Sequence, residues 1–242
     1  MHNSHVIQRF LSGLLFVSGV LFALLLAVVS FWPDQEASIF DSSLSAQAPL
    51  NTLRCPLVIT PNEAAAIRVT LTNPLERPIQ LLARARISDG YVTLMRQETR
   101  TVPLAPGETQ TVSWPITGED AVYGRFVLAR VYVFRQNPLP SRQKSCGVWF
   151  LDAPLVTGGQ LAAATAAASF LGMAVGGAWW LRLEWPLRGR RRDVALAVGT
   201  LAALVSAAAG ASLLGWWSGG LLLLLLTILV LIVLLERYFL TH

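Results

Sequence analysis

The chain has 242 residues, of which 54% are hydrophobic and only 14% charged, and it carries a net charge of +5. That balance excludes an ordinary soluble globule, and long uninterrupted apolar runs place the chain in the membrane class. The histidines, His2, His5 and His242, sit only in the terminal tails, which excludes haem held between paired membrane histidines.

The first element is an apolar run of 23 residues from Phe10 to Trp32. Roughly 20 apolar residues cross a bilayer as a helix, so residues 1–32 read as a cytoplasmic tip followed by transmembrane helix 1. Arg9 before the run and "SAQA" at 45–48 leave a cleaved secretory signal as the alternative. The run exceeds the roughly 7 to 15 residues of a signal core, and the small-residue site lies well past its end, which favours a retained anchor. Residues 33–52, "PDQEASIFDSSLSAQAPLNT" from Pro33, read as a polar linker.

Residues 53–153 read as an all-β domain outside the membrane. Short β-branched runs near 57–60, 66–72, 79–87, 91–95, 98–103, 109–116, 124–134 and 146–151 alternate with "TNPLERP", "SDG", "APGET" and "TGED", which carry the Gly and Pro of turns. Seven or eight short strands in about 100 residues predict a β-sandwich. Within it, "GRFVLARVYVFRQNPLPSRQK" spaces Arg125, Arg130, Arg135, Arg142 and Lys144 as a charged solvent face, with an anionic partner surface as the alternative.

The domain's "VTLTNPLERPIQLLARARIS" and "RTVPLAPGETQTVSWPIT" resemble the immunoglobulin-like modules related to bacterial cell-adhesion domains. In those modules an Asn ending an early strand precedes a sagging loop, and an "L.PGE" motif leads into a facing strand. The likeness covers about 95 residues; it implies a fold and a non-catalytic adhesion or scaffolding role, and no binding residue is carried over. Cys55 and Cys146 open and close this segment. On the outer side of a membrane a disulfide between them is chemically permitted, with two free buried thiols as the alternative. The domain has no histidine, so a Ser/His/Asp or Cys/His arrangement is impossible. No phosphate loop, zinc signature or dinucleotide fingerprint is present either. We therefore expect no enzyme, no cofactor and no metal.

Three further spans follow. Residues 154–181 read as transmembrane helix 2, 182–193 as an arginine-rich loop, 194–215 as transmembrane helix 3, 216–238 as an outer turn with transmembrane helix 4, and 239–242 as a tail. None of the four apolar runs, residues 10–32, 158–181, 194–215 and 219–235, has Asp, Glu, Lys, Arg or His between its ends. Pumps, channels and transporters usually carry such a group at membrane depth, which argues against those classes. Gly172 and Gly176 in helix 2, and Ala202, Ser206 and Gly210 in helix 3, repeat small residues at intervals of four. Such faces let helix backbones approach closely in lipid, so the two helices are expected to pack on each other or on a neighbour; alanine-rich composition alone is the alternative. Trp179, Trp180, Trp216 and Trp217 fall at span ends, as interface-belt aromatics do.

Orientation follows from the basic residues. Residues 33–156 hold 12 basic and 11 acidic groups, whereas the loop 182–193 gathers Arg182, Arg188, Arg190, Arg191 and Arg192 against two carboxylates. Short arginine-rich loops stay cytoplasmic while long segments cross regardless of charge. Both termini and the arginine loop are thus expected inside, with the β domain outside a bacterial plasma membrane. The same arginines are candidates for anionic lipid headgroups. Nucleic acid is not expected, since no stacking platform accompanies the charges, and no small-molecule substrate is evident. The expected function is that of a non-catalytic accessory or scaffold subunit docking onto other membrane-protein subunits; a membrane-anchored ligand sensor or adhesion protein is the alternative.

Overall fold

The computed structural model describes residues 2–41, 45–214 and 216–240, except for the side chains of residues 2–4, 190, 217–218 and 234–240. These residues fall into two units, Val29–Leu161 and Met1–Val28 with Ala162–His242. The first helix, α1 (His2–Ile39), contributes its early turns to the helical unit and its last turns to the β unit.

In the β unit, strands run as β1 (Ala48–Pro49), β2 (Leu53–Arg54), β3 (Val58–Ile59), β4 (Ala65–Thr72), β5 (Ile79–Asp89), β6 (Tyr91–Leu104), β7 (Thr109–Ile116), β8 (Phe126–Val133) and β9 (Arg142–Phe150). The larger sheet has the order β1-β9-β8-β5-β6, with β3 also on β9, and the smaller has the order β2-β4-β7. β1 and β3 lie parallel to β9, and the remaining pairs are antiparallel, so the larger sheet is mixed.

Alternation builds the core. In β4, Ile67, Val69 and Leu71 point inward, and across the ladder Ile67 pairs with Trp114 of β7. The outward positions are Arg68 and two threonines, whose hydroxyls meet those of β7 at 3.2 Å for Thr70 and Thr111 and 2.9 Å for Thr72 and Thr109. From the larger sheet, Leu81, Ala83, Ala85 and Ile87 of β5 and Val127, Ala129, Val131 and Val133 of β8 close the same core. Period-two spacing is what lets each strand offer one apolar face in this way. Cys55 and Cys146 are joined as a disulfide, tying the chain just after β2 to the middle of β9.

β8 is buried on both faces, and the reason corrects two sequence expectations. Its second face, Phe126 and Leu128, packs with Ala37 and Phe40 at the end of α1, along with Val122 and Trp149. The start of the supposed polar linker is therefore helical and docked: Pro33 to Ile39 continue α1, Asp34 accepts the Gly147 amide at 2.9 Å, and β1 occupies a further piece of it. Arg130, expected on a solvent face, is buried beneath this segment and donates to the carbonyls of Ser38, at 2.8 Å, and Asp41. Two more differences concern strand ends. The segments 91–95 and 98–103 form one strand, β6, and β9 begins at Arg142, four residues before expectation.

At one end of the sandwich Asn73 organises the turn after β4. It is fully buried, and its amide donates to the carbonyls of Arg77 at 2.8 Å, Leu104 at 3.2 Å and Ala105 at 3.0 Å while its oxygen accepts the Leu75 amide at 3.0 Å. Gly107, whose positive φ of 71° suits a residue without a Cβ, returns its amide to the Asn73 carbonyl. Asn73→Ala is expected to destabilise the β unit by about 3 kcal/mol, because several buried backbone groups lose their partner at once. Denaturant unfolding of the variant beside the wild type checks this; an unchanged midpoint would refute it.

In the helical unit, α1 is joined by α2 (Gly158–Glu184), α3 (Arg190–Leu213) and α4 (Trp217–Leu240). Among the described residues, three helices contain segments long and apolar enough to cross a membrane: His5–Ile39, Gly158–Glu184 and Arg191–Leu213. α4 holds a shorter apolar stretch, Gly219–Val233. Large apolar side chains such as Phe10, Leu14, Leu21, Phe170, Val175 and Leu196 point outward from these helices, the reverse of a water-soluble bundle.

Candidate functional site

Among the described residues, packing faces and polar centres bring the expected site residues into contact. α1 and α2 approach each other backbone to backbone. A Cβ added at Gly172 would lie 2.9 Å from the Gly19 Cα, one at Gly176 2.5 Å from the Phe16 nitrogen, and one at Gly19 2.5 Å from the Met173 nitrogen. These backbones meet at distances that only glycine permits, so Gly172 and Gly176 lie on a helix contact whose partner is α1. Gly19 is its missing half. On α1 the small residues Gly19, Ala23 and Ala27 also recur at intervals of four, the same signal as in the later helices, here set among large apolar side chains.

The expected face on α3 is displaced. Ser206 is exposed, Ala202 and Gly210 are half-buried, and no described atom lies within 4 Å of a Cβ built on Gly210. The buried positions are Leu201, Val205, Ala208, Ala209 and Ala211, and Leu201 and Val205 cluster with Val20 and Ala23 of α1. Both α2 and α3 thus pack on α1. Larger side chains, Leu201 and Val205, carry the α3 contact, and they lie outside the small-residue repeat.

Glu184, counted in the sequence only as a loop charge, is a buried carboxylate at the end of α2. One oxygen takes Arg9 of α1 at 2.8 Å and the other Arg191 of α3 at 3.1 Å. The flanking arginines are about half exposed, so the bridge acts mainly by satisfying a carboxylate that would be costly to bury alone. Arg182, Arg188 and Arg192 are exposed, and the Arg190 side chain lies outside the described residues. A shallow pocket beside them is lined by Trp185, Pro186, Leu187, Arg188, Arg192 and Leu196. Trp179 and Trp180 are half-buried, Trp216 is exposed, and the Trp217 side chain lies outside the described residues.

The β unit has two polar centres of its own. Arg96 of β6 grips Asp120 through two bonds, 2.8 and 3.1 Å, and also meets Glu98, while Asp120 accepts the Thr117 amide at 2.8 Å. The hydrogen bond to Asp120 is the chief reason the Arg96 pKa is raised. This pairing links the free edge of the larger sheet to the turn that follows β7 of the smaller. Arg130 shifts the other way: burial lowers its pKa, partly offset by Asp41, which also binds Arg86 at 2.5 Å. Among the described residues no group of His, Cys, Asp and Glu is arranged to hold a metal.

No family model matches the chain, and no curated protein matches it. Among solved structures, β-glucuronidase 2 of Bacteroides uniformis is similar over 41% of this chain at 18% identity, with a TM-score of 0.30. A β-glucosidase from Listeria innocua is similar over 40% at 18% identity, with a TM-score of 0.29. The chain spans 13% and 15% of the lengths of these two enzymes. At that level the likeness carries no argument about activity.

Proposed function

We propose that this protein is a non-catalytic accessory or scaffold subunit of a multi-subunit bacterial membrane complex. In this reading it has four spans, an arginine loop and both termini on the cytoplasmic side, and an immunoglobulin-like sandwich outside. One observation carries the functional part: the buried charged side chains among the described residues, Asp120, Arg130 and Glu184, all bind other parts of the chain. Buried ionisable groups in an enzyme or a transporter are held for substrate or protons; here they tie strands, turns and helices together.

The topology draws support from Glu184, whose two arginine partners come from the N-terminal tip and the arginine loop and so belong at one membrane face. The immunoglobulin-like reading draws on the two-sheet sandwich, the disulfide between the two sheets' segments and the buried Asn73 that closes the early loop. Small-residue and alanine-rich helix surfaces, together with the outer domain, are the docking faces this reading assigns to partner subunits. Anionic lipid at Arg188 and Arg192 is a secondary contact.

Mild-detergent extraction of the native membrane, followed by size separation and mass spectrometry, tests the proposal. A stoichiometric partner migrating with this chain is the expected result. Migration of the 26.3 kDa chain alone in its detergent shell would overturn it in favour of a self-sufficient anchored binding or adhesion protein.

A further inference from the structure

The exposed apolar side chains of the β unit are not scattered. Apart from Trp32 and Ile39 on α1, the large ones among the described residues are Tyr91, Val92, Leu94 and Met95 on β6, Tyr123, and Leu151, Leu155 and Val156 after β9. Strand pairing brings all of these to one end of the sandwich. The end of β5 lies beside the start of β8 through Ile87 and Ala129, and the start of β8 lies beside the end of β9 through Phe126 and Trp149. The turn carrying Tyr123 closes on Phe126, and Gly90 of the β5–β6 turn sits against Glu119.

The hairpin tip is built to project. Ser88 pairs with Met95, yet the next residue, Asp89, pairs with Tyr91, so Val92, Thr93 and Leu94 are passed over by the ladder. A bulge of that kind re-aims side chains away from the sheet. The opposite end of the sandwich is polar, with Glu76, Arg77 and Glu108 exposed around the Asn73 turn.

The apolar end is also where the chain leaves the sandwich for α2. The Gly158 amide donates to Glu63 at 2.8 Å, and a Cβ at Gly158 would fall 2.0 Å from the Val58 carbonyl oxygen. Thr157 and Gln160 cap the helix reciprocally, at 3.0 and 3.2 Å. An apolar helix long enough to cross a bilayer thus starts at this rim, fixed to it by a backbone contact.

We propose that this rim, with Tyr91, Val92, Leu94 and Met95 on the hairpin and Tyr123 and Leu155 beside it, seats in the boundary between lipid headgroups and acyl chains. The inference rests on the membrane reading given above. Contiguous exposed apolar surface calls for a covering phase. Tyrosines mixed with aliphatic side chains match the interface, where ring and hydroxyl are both satisfied. The bilayer is the phase that a short, pinned exit into an apolar helix brings to this end.

The test uses the full chain reconstituted in vesicles of phosphatidylethanolamine and phosphatidylglycerol, with photoreactive benzoylphenylalanine placed in turn at Leu94, Glu108 and Phe170. After irradiation, intact mass reports lipid adducts. The proposal expects a lipid adduct at Leu94 and at the outward-facing Phe170 of α2, and none at Glu108. An adduct at Phe170 without one at Leu94 overturns the seated rim and leaves the membrane reading standing. Loss of the adduct at Phe170 as well overturns the membrane reading and the rim with it. A protein adduct at Leu94 in native membranes, in place of lipid, also overturns the proposal.

Discussion

Serine at both Cys55 and Cys146 is expected to lower the stability of the β unit by about 4 to 5 kcal/mol. The two residues are 91 positions apart, and closing a loop of that size removes about that much conformational freedom from the unfolded chain. The same substitution leaves a serine hydroxyl at position 146, which is buried among apolar side chains, and this adds to the cost. Hydrogen exchange of the β4 and β8 amides is the appropriate measurement, because it reads the sandwich without the helices. Protection should fall by about three orders of magnitude, since every 1.36 kcal/mol is roughly tenfold. Equal protection in the wild type and the double variant would sink the prediction.

The second large effect concerns Gly147. A Cβ there would stand 2.0 Å from the carbonyl oxygen of Pro33 and 2.1 Å from its carbon, both backbone atoms that no rotamer can move aside. Gly147→Val is therefore expected to lift the end of α1 from the sheet. Asp34 would lose the Gly147 amide, Arg130 would lose its two carbonyl partners, and Ala37 and Phe40 would be uncovered. The combined cost is about 3 to 5 kcal/mol, above the usual range for overpacking because a buried guanidinium is stranded. Residues 33–41 should exchange their amide hydrogens freely in this variant, while β4 and β7 stay protected. Gly159→Ala is the matched control, since nothing lies within 4 Å of its added Cβ. Retained protection of 33–41 in Gly147→Val would show that the helix end does not depend on this contact.

Much of the sandwich was legible because its strands obey a two-residue period. β4, β5 and β7 lie within two residues of their expected bounds, with Ile67, Val69, Leu71 and Ile87 where alternation puts them. The misreadings share one cause, the assumption that polar residues seek water. Asp34, Gln35 and Glu36 made a docked helix end look like a linker, yet Asp34 is satisfied by a backbone amide of β9. Arg96 and Gln97 seemed to interrupt a strand, but Arg96 is held by Asp120 and the ladder runs through. Arg130 sat in an alternating pattern whose outer face is covered by a segment far away in sequence, and Glu184 was weighed only as charge. Partners so distant along the chain are invisible to local periodicity. The helix contacts were half legible: Gly172 and Gly176 belong to a close approach, whereas the α3 surface that packs is made by Leu201 and Val205.

The contact between Gly19 and Gly172 also sets a timetable. Ribosomal synthesis delivers α1 first, and its glycine partner follows 172 − 19 = 153 residues later. At roughly 5–20 residues per second that delay is about 8 to 30 seconds. On the membrane reading proposed above, α1 would spend this interval in the bilayer with lipid against its glycine notch, and the completion of α2 would be the event that replaces lipid with a helix backbone.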